Sequence, residues 1–73
     1  MSMESVTLVF EPSEEGGFSA YVAEVPGVNS QGETLEEAKE MVLAALQELV
    51  EFRREKALRK AVAGAVYEKV ALA

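Results

Sequence analysis

Between Glu14 and Ala38 the chain carries the signals for a hairpin, a second strand, a tight turn and a capped helix, with almost no residues between them: EEGGFSAYVAEVPGVNSQGETLEEA. Gly16-Gly17 tolerates positive φ and opens a strand; Pro26 presets φ at the first corner of a turn and Gly27 accepts positive φ at the second, the requirement of a type II turn. Thr34 is an N-cap residue and Glu37 follows three positions later. The pattern is that of a capping box, in which the Thr34 hydroxyl accepts from the Glu37 N–H and the carboxylate returns to the Thr34 N–H. This order leaves room only for a small antiparallel sheet feeding a helix.

Periodicity fills in the elements on either side. Val6, Leu8 and Phe10 alternate with Thr7, Val9 and Glu11, which predicts a half-buried strand over Glu4–Glu11. A hairpin connection over Pro12–Gly17 follows, because Pro12 cannot donate to a ladder. Phe18, Ala20 and Val22 share one face of a second strand, Phe18–Val25, and Ser19, Tyr21, Ala23 and Val25 share the other. A brief third strand fits Val28–Gln31, between the Pro-Gly turn and Gly32. From Thr34 onward, Ala38, Met41, Val42, Ala45, Leu46, Leu49, Val50 and Phe52 recur at three- and four-residue spacings, opposite Glu40, Glu48, Glu51 and Glu55. Glu55 with Arg59 and Glu51 with Arg54 are spaced as helical ion pairs. Leu58, Val62, Val66 and Val70 prolong a helical spacing, while Ala65–Leu72 equally suits a strand. Gly64, just past a basic last turn, decides for a helix to about Val62 and a closing strand after it. The expected architecture is α+β: an antiparallel sheet of three strands plus a C-terminal strand, with one long helix on one face, in a single domain spanning residues 1–73.

Seventy-three residues give a core that supplies only about 3–5 kcal/mol. Small chains gain support from disulfides, metals or association, and this one has no Cys and no His, so self-association into a dimer or tetramer is the expectation. All thirteen acidic residues are Glu, so no loop has the Asp-rich spacing of a calcium site. No metal and no cofactor are expected. A net charge of −6 disfavours a nucleic-acid surface. Arg53, Arg54, Lys56, Arg59 and Lys60 do cluster, but near a predicted helix end, where cations complement the macrodipole. No apolar run approaches the roughly 20 residues a membrane helix needs, and the first residues lack the features of a signal peptide, so a cytoplasmic location is expected.

The residues from about Val6 to Phe52 resemble the HicB-like antitoxin family. Its pattern is a strand, a loop with one or two Gly and an aromatic, a second strand, a Pro-Gly turn, then Gln-Gly-acidic-Thr-hydrophobic-Glu-Glu-Ala. Here Gly16, Gly17, Phe18, Val22, Val25, Pro26, Gly27 and the run Ser30–Ala38 carry it. The resemblance implies a β-β-β-α-β domain related to a truncated ribonuclease H fold without its catalytic carboxylates. It also implies a partner, a small basic HicA-like ribonuclease, whose surface an acidic chain suits. Full-length members add a C-terminal DNA-binding module; the twenty-one residues after Phe52 are too few for one beside the predicted helix end and strand, so the expectation is a stand-alone domain.

Gly16, Gly17, Gly27 and Gly32 are read as turn residues, Pro26 as a fixed corner, and Thr34 with Glu37 as a cap. Phe18 is assigned to the core. Val9, Tyr21, Ala23 and Val25 share the sheet face away from the helix and form the candidate interface. Without His or Cys the chain lacks the commonest general base and the thiol nucleophile. Glu14-Glu15 and Glu36-Glu37 are sequence neighbours whose side chains diverge into water, so catalysis is not expected.

Overall fold

A computed structural model describes residues 5–71, and its element order is β1 (Leu8–Pro12), β2 (Phe18–Val22), β3 (Asn29–Gly32) and α1 (Leu35–Lys60). The strands form an antiparallel meander in the order β1-β2-β3. Leu8 pairs with Val22, Val9 with Tyr21 and Phe10 with Ala20, while Ala20 pairs with Ser30 and Phe18 with Gly32. This register puts Leu8, Phe10, Phe18, Ala20 and Val22 on one face, as the alternation requires. Pro12 ends β1, an edge strand where the missing N–H has no neighbour to serve.

The helix lies over β3 and β2. Ala20, Val22, Val28, Ala38 and Val42 are buried, and Val6, Leu8, Phe10, Phe18, Val25, Ala45, Leu46 and Leu49 pack around them. Phe18 therefore joins the core. Thr34 caps the helix as expected, its hydroxyl accepting from the Glu37 N–H at 3.1 Å. The return bond from the Thr34 N–H to the Glu37 carboxylate is not formed among the described residues. The Ala38 N–H donates to the Thr34 carbonyl at 2.9 Å, the first helical bond.

Gly32 differs from its turn assignment. It lies in β3, and a Cβ there would stand 2.4 Å from the Ala38 nitrogen and 2.8 Å from the Glu37 carbonyl carbon. Gly17 adds to the same close approach: it has φ +75, and a Cβ on it would meet the Gly32 oxygen at 2.5 Å. Both contacts are with backbone, which cannot swing away. Only glycine lets β3 and the first helical turn meet at this separation.

Two strand ends in this half of the chain depart from expectation. Strand β2 stops at Val22, before Val25, because the chain turns at once: the Val25 N–H donates to the Val22 carbonyl at 3.2 Å. The Pro26-Gly27 turn follows as a second corner, with Gly27 at φ +92. Strand β1 begins at Leu8 rather than at the predicted Glu4, which lies outside the described residues: Ser5, Val6 and Thr7 precede it without strand structure, although Thr7 is tied to Ala23 and Glu24.

The expected C-terminal strand is absent among the described residues. The helix ends at Lys60, Ala61 is extended, and Gly64 at φ +87 makes a turn closed by Ala65 N–H donating to the Val62 carbonyl at 3.0 Å. Residues 65–71 then run without a ladder partner; Leu72, the predicted end of that strand, lies outside the described residues. The reason is length. Twenty-six helical residues rise about 39 Å, whereas five-residue strands span about 17 Å, so the chain leaves the helix far from either sheet edge. Strand propensity without an edge to pair with makes no strand.

Length also shortens the apolar stripe. Ala38, Val42, Ala45, Leu46 and Leu49 meet the sheet, but Met41, Val50 and Phe52 do not, Phe52 being 62% exposed. The molecule measures 52 × 24 × 16 Å, with a radius of gyration of 15.5 Å, against about 11 Å for a compact chain of this size.

Replacing Gly32 by Ala is expected to cost about 2–3 kcal/mol by forcing the helix off β3. Gly16→Ala, at φ +98 but with nothing within 4 Å, is expected to cost about 1 kcal/mol. Urea unfolding followed by circular dichroism measures both, and equal losses would contradict the close-packing role of Gly32. Thr34→Ala is expected to cost about 1 kcal/mol by the same measurement.

Candidate functional site

Two surfaces flank the core. The first is the sheet face that the helix leaves open. The register places Val9, Tyr21 and Asn29 in one row across it and Glu11, Ser19 and Gln31 in the next. Val9 and Tyr21 are directly opposed and half-buried; Glu11, Asn29 and Gln31 are exposed. Of the four residues assigned to this face from sequence, Val9 and Tyr21 come together on it. Ala23 and Val25 are carried off the strand by the turn after Val22, with Ala23 exposed and Val25 packed on the core.

A polar clamp holds that turn in place. The Thr7 N–H donates to Glu24 Oε1 at 2.7 Å and the Thr7 hydroxyl donates to Oε2 at 2.6 Å. The Ala23 N–H donates to the Thr7 carbonyl at 2.9 Å, extending the β1–β2 pairing by one residue. These contacts hold the Glu24 carboxyl below its ordinary value of 4.5, the hydroxyl donation contributing most and the backbone donation next. Sequence reasoning missed this pair. Its members are seventeen residues apart, and only the strand register, which sets Thr7 opposite Ala23, could have suggested it.

The second surface is the far half of the helix together with the segment C-terminal to it. Arg53, Arg54, Lys56, Arg59 and Lys60 are all exposed there. Arg59 lies 3.8 Å from Glu55, the expected i,i+4 pair, in open solvent; the Glu51–Arg54 pair is not formed among the described residues. Val50, Leu58, Val62, Val66, Tyr67 and Val70 are also exposed. Charge divides sharply along the chain, while the open sheet face itself carries one charged residue among those rows, Glu11. Residues 5–50 hold nine glutamates and one lysine, while residues 51–71 hold six basic residues and three glutamates.

A cleft of about 440 Å³ between the β1–β2 loop and the helix start is lined by Glu15, Phe18, Glu33, Glu37 and Met41 among others. Its three carboxylates are exposed. Among the described residues, no three of His, Cys, Asp or Glu are grouped to hold a metal ion, and no helix is long and apolar enough to cross a membrane.

Comparison with known proteins finds a relative by sequence. The UPF0150 protein ssl0738 of Synechocystis sp. is 44% identical over 50 residues, covering 68% of this chain and 69% of that protein. The chain belongs to the UPF0150 family. No family model matches it, and no solved structure does.

The Thr7–Glu24 clamp gives this UPF0150 protein a defined acid response. A carboxyl that titrates lower when folded contributes its stabilisation in full above its unfolded value, and loses it as pH falls through the folded value. Thermal midpoints of the native chain and Glu24→Gln are therefore expected to differ by a constant amount above the ordinary carboxyl range and to converge as pH falls below it. A difference that is independent of pH would contradict the clamp.

Proposed function

We propose that this UPF0150 protein is a HicB-like protein-binding domain that occludes a small basic ribonuclease of the HicA-like kind. The observation carrying this reading is an acidic sheet-and-helix body with an open face centred on Val9 and Tyr21. Nine glutamates against one lysine in residues 5–50 create a field that speeds encounter with a basic partner. Tyr21 beside Val9 supplies the kind of amphipathic anchor that carries binding energy at interfaces. The HicB-like motif order over Val6–Phe52 supports the same reading, including a relationship to a truncated ribonuclease H fold. Inhibition works by covering the partner: the chain has no His or Cys, and binding rather than catalysis is its role, in the cytoplasm.

A second reading, a structural homo-oligomer without a toxin, is favoured by the exposed Val50, Phe52 and Leu58 and by the elongated shape. Partner capture separates the two. The purified chain is expected to bind the small basic ribonuclease encoded beside its own gene in equal proportion and to stop its cleavage of RNA at about 10 μM. Tyr21→Arg, on a half-buried position of the open face, is expected to weaken inhibition at least about tenfold without unfolding the chain. Absence of binding and inhibition by the native chain would overturn the toxin-binding reading.

A further inference from the structure

The helix carries a second stripe, on the side turned away from the sheet. Glu36, Glu40, Leu43, Gln47, Val50, Arg54, Ala57 and Ala61 follow one another at alternating four- and three-residue steps, the repeat of a coiled-coil seam. Ala38, Val42, Ala45, Leu46 and Leu49, which meet the sheet, lie on a different line of the helix. The seam is acidic at its start, with Glu36 and Glu40, carries Leu43 and Val50 on either side of Gln47, and has one basic residue, Arg54, before Ala57 and Ala61, with Arg53 beside it. Glu36, Glu40, Gln47, Val50 and Arg54 are exposed and Leu43 is half-buried.

Such a sequence is complementary to itself run backwards. Placing a second helix antiparallel, centred near Gln47, sets the Glu36–Glu40 turn of one copy against the basic segment that begins at Arg53 and Arg54 of the other, twice over. Leu43 and Val50 of both copies then meet in the middle around the two Gln47 amides. A parallel pairing would oppose like charges at both ends. Among the described residues neither Arg53 nor Arg54 has an ion-pair partner. The helix beyond Leu49 also has no sheet beneath it, leaving Val50 46% and Leu58 40% exposed.

We infer that α1 is a two-fold, antiparallel interface with a second copy of this chain, built on the seam from Glu36 to Arg54. The occupant is a second copy because the charge order along the seam matches its own reverse, and a two-fold contact requires one patch to fit itself. A groove of about 440 Å³ between Arg54, Leu58 and Tyr67, with Glu68 and Lys69 at its rim, lies beside the basic end of the seam, where the partner's Glu36–Glu40 turn arrives. The open sheet face with Val9 and Tyr21 stays free in this dimer, so the pairing does not depend on the toxin-binding reading.

Charge exchange between two full-length variants tests it by sedimentation. Glu36→Lys/Glu40→Lys makes the helix basic at both ends, and Arg53→Glu/Arg54→Glu makes it acidic at both ends. The native chain is expected to be a dimer, each variant alone a monomer at the same concentration, and their equimolar mixture a heterodimer again. Val50→Glu is expected to weaken native self-association at least about tenfold, with an unchanged circular dichroism spectrum showing that the fold survives. A monomeric native chain at about 0.1 mM, self-association of either charge variant equal to the native chain, or failure of two folded variants to associate on mixing would overturn the interface.

Discussion

The helix can lie on the sheet only if the backbone of β3 comes nearer to the first helical turn than any side chain permits. Gly32 makes that approach, with the Ala38 nitrogen 2.4 Å from where a Cβ would be, and Gly17 lets the end of the hairpin loop close over the Gly32 carbonyl. The seat then fixes the rest. With the first turn held at Gly32 and its N–H groups capped by Thr34, Ala38 and Val42 drop into the space above Ala20 and Val22 and become fully enclosed. A larger residue at Ala38 or Gly32 would separate helix from sheet along the whole contact, since a rigid rod raised at one end loses its packing beyond it.

A helix seated at one end of so small a sheet has to leave it at the other. The strands end after about three turns of helix, yet α1 continues to Lys60. Beyond Leu49 its stability rests on helix propensity, on one exposed ion pair between Glu55 and Arg59, and on Arg59 and Lys60 complementing the dipole at the last turn. An unsupported stretch of that length is marginal in water. The division between an acidic, packed body and a basic, unpacked extension is therefore physical as well as compositional.

Much of this was legible in the residues. The alternation in Leu8–Phe10 and Phe18–Val22 assigned the faces of both strands correctly, because burial of one sheet face imposes a period of two. Pro26-Gly27 and Thr34 marked a corner and a cap through local backbone chemistry, and both stand where expected. Features that depend on distances between elements were not legible. Local signals make Gly32 read as a turn residue, because its close approach to Ala38 exists only after the helix has docked. The end of β2 at Val22 depends on an immediate turn, which Thr7 and Glu24 clamp from seventeen residues apart. Val66, Tyr67 and Val70 have strand propensity, but the length of the helix removes them from any edge. For the candidate interface, Val9 and Tyr21 were placed together on the open face by periodicity, whereas Ala23 and Val25 left it with the turn.

The central proposal is that α1 serves two packing partners, its own sheet along one line as far as Leu49 and a second copy along the opposite line from Glu36 to Arg54, whose paired helix also covers the stretch that the sheet does not reach. Amide hydrogen exchange resolved by residue, at low and high protein concentration, tests this most directly. The account predicts that residues 38–49 are protected at both concentrations, while residues 51–60 exchange readily in dilute solution and gain protection as concentration rises. Equal protection from 38 to 60 in dilute solution, or a far half that gains none at high concentration, would contradict it.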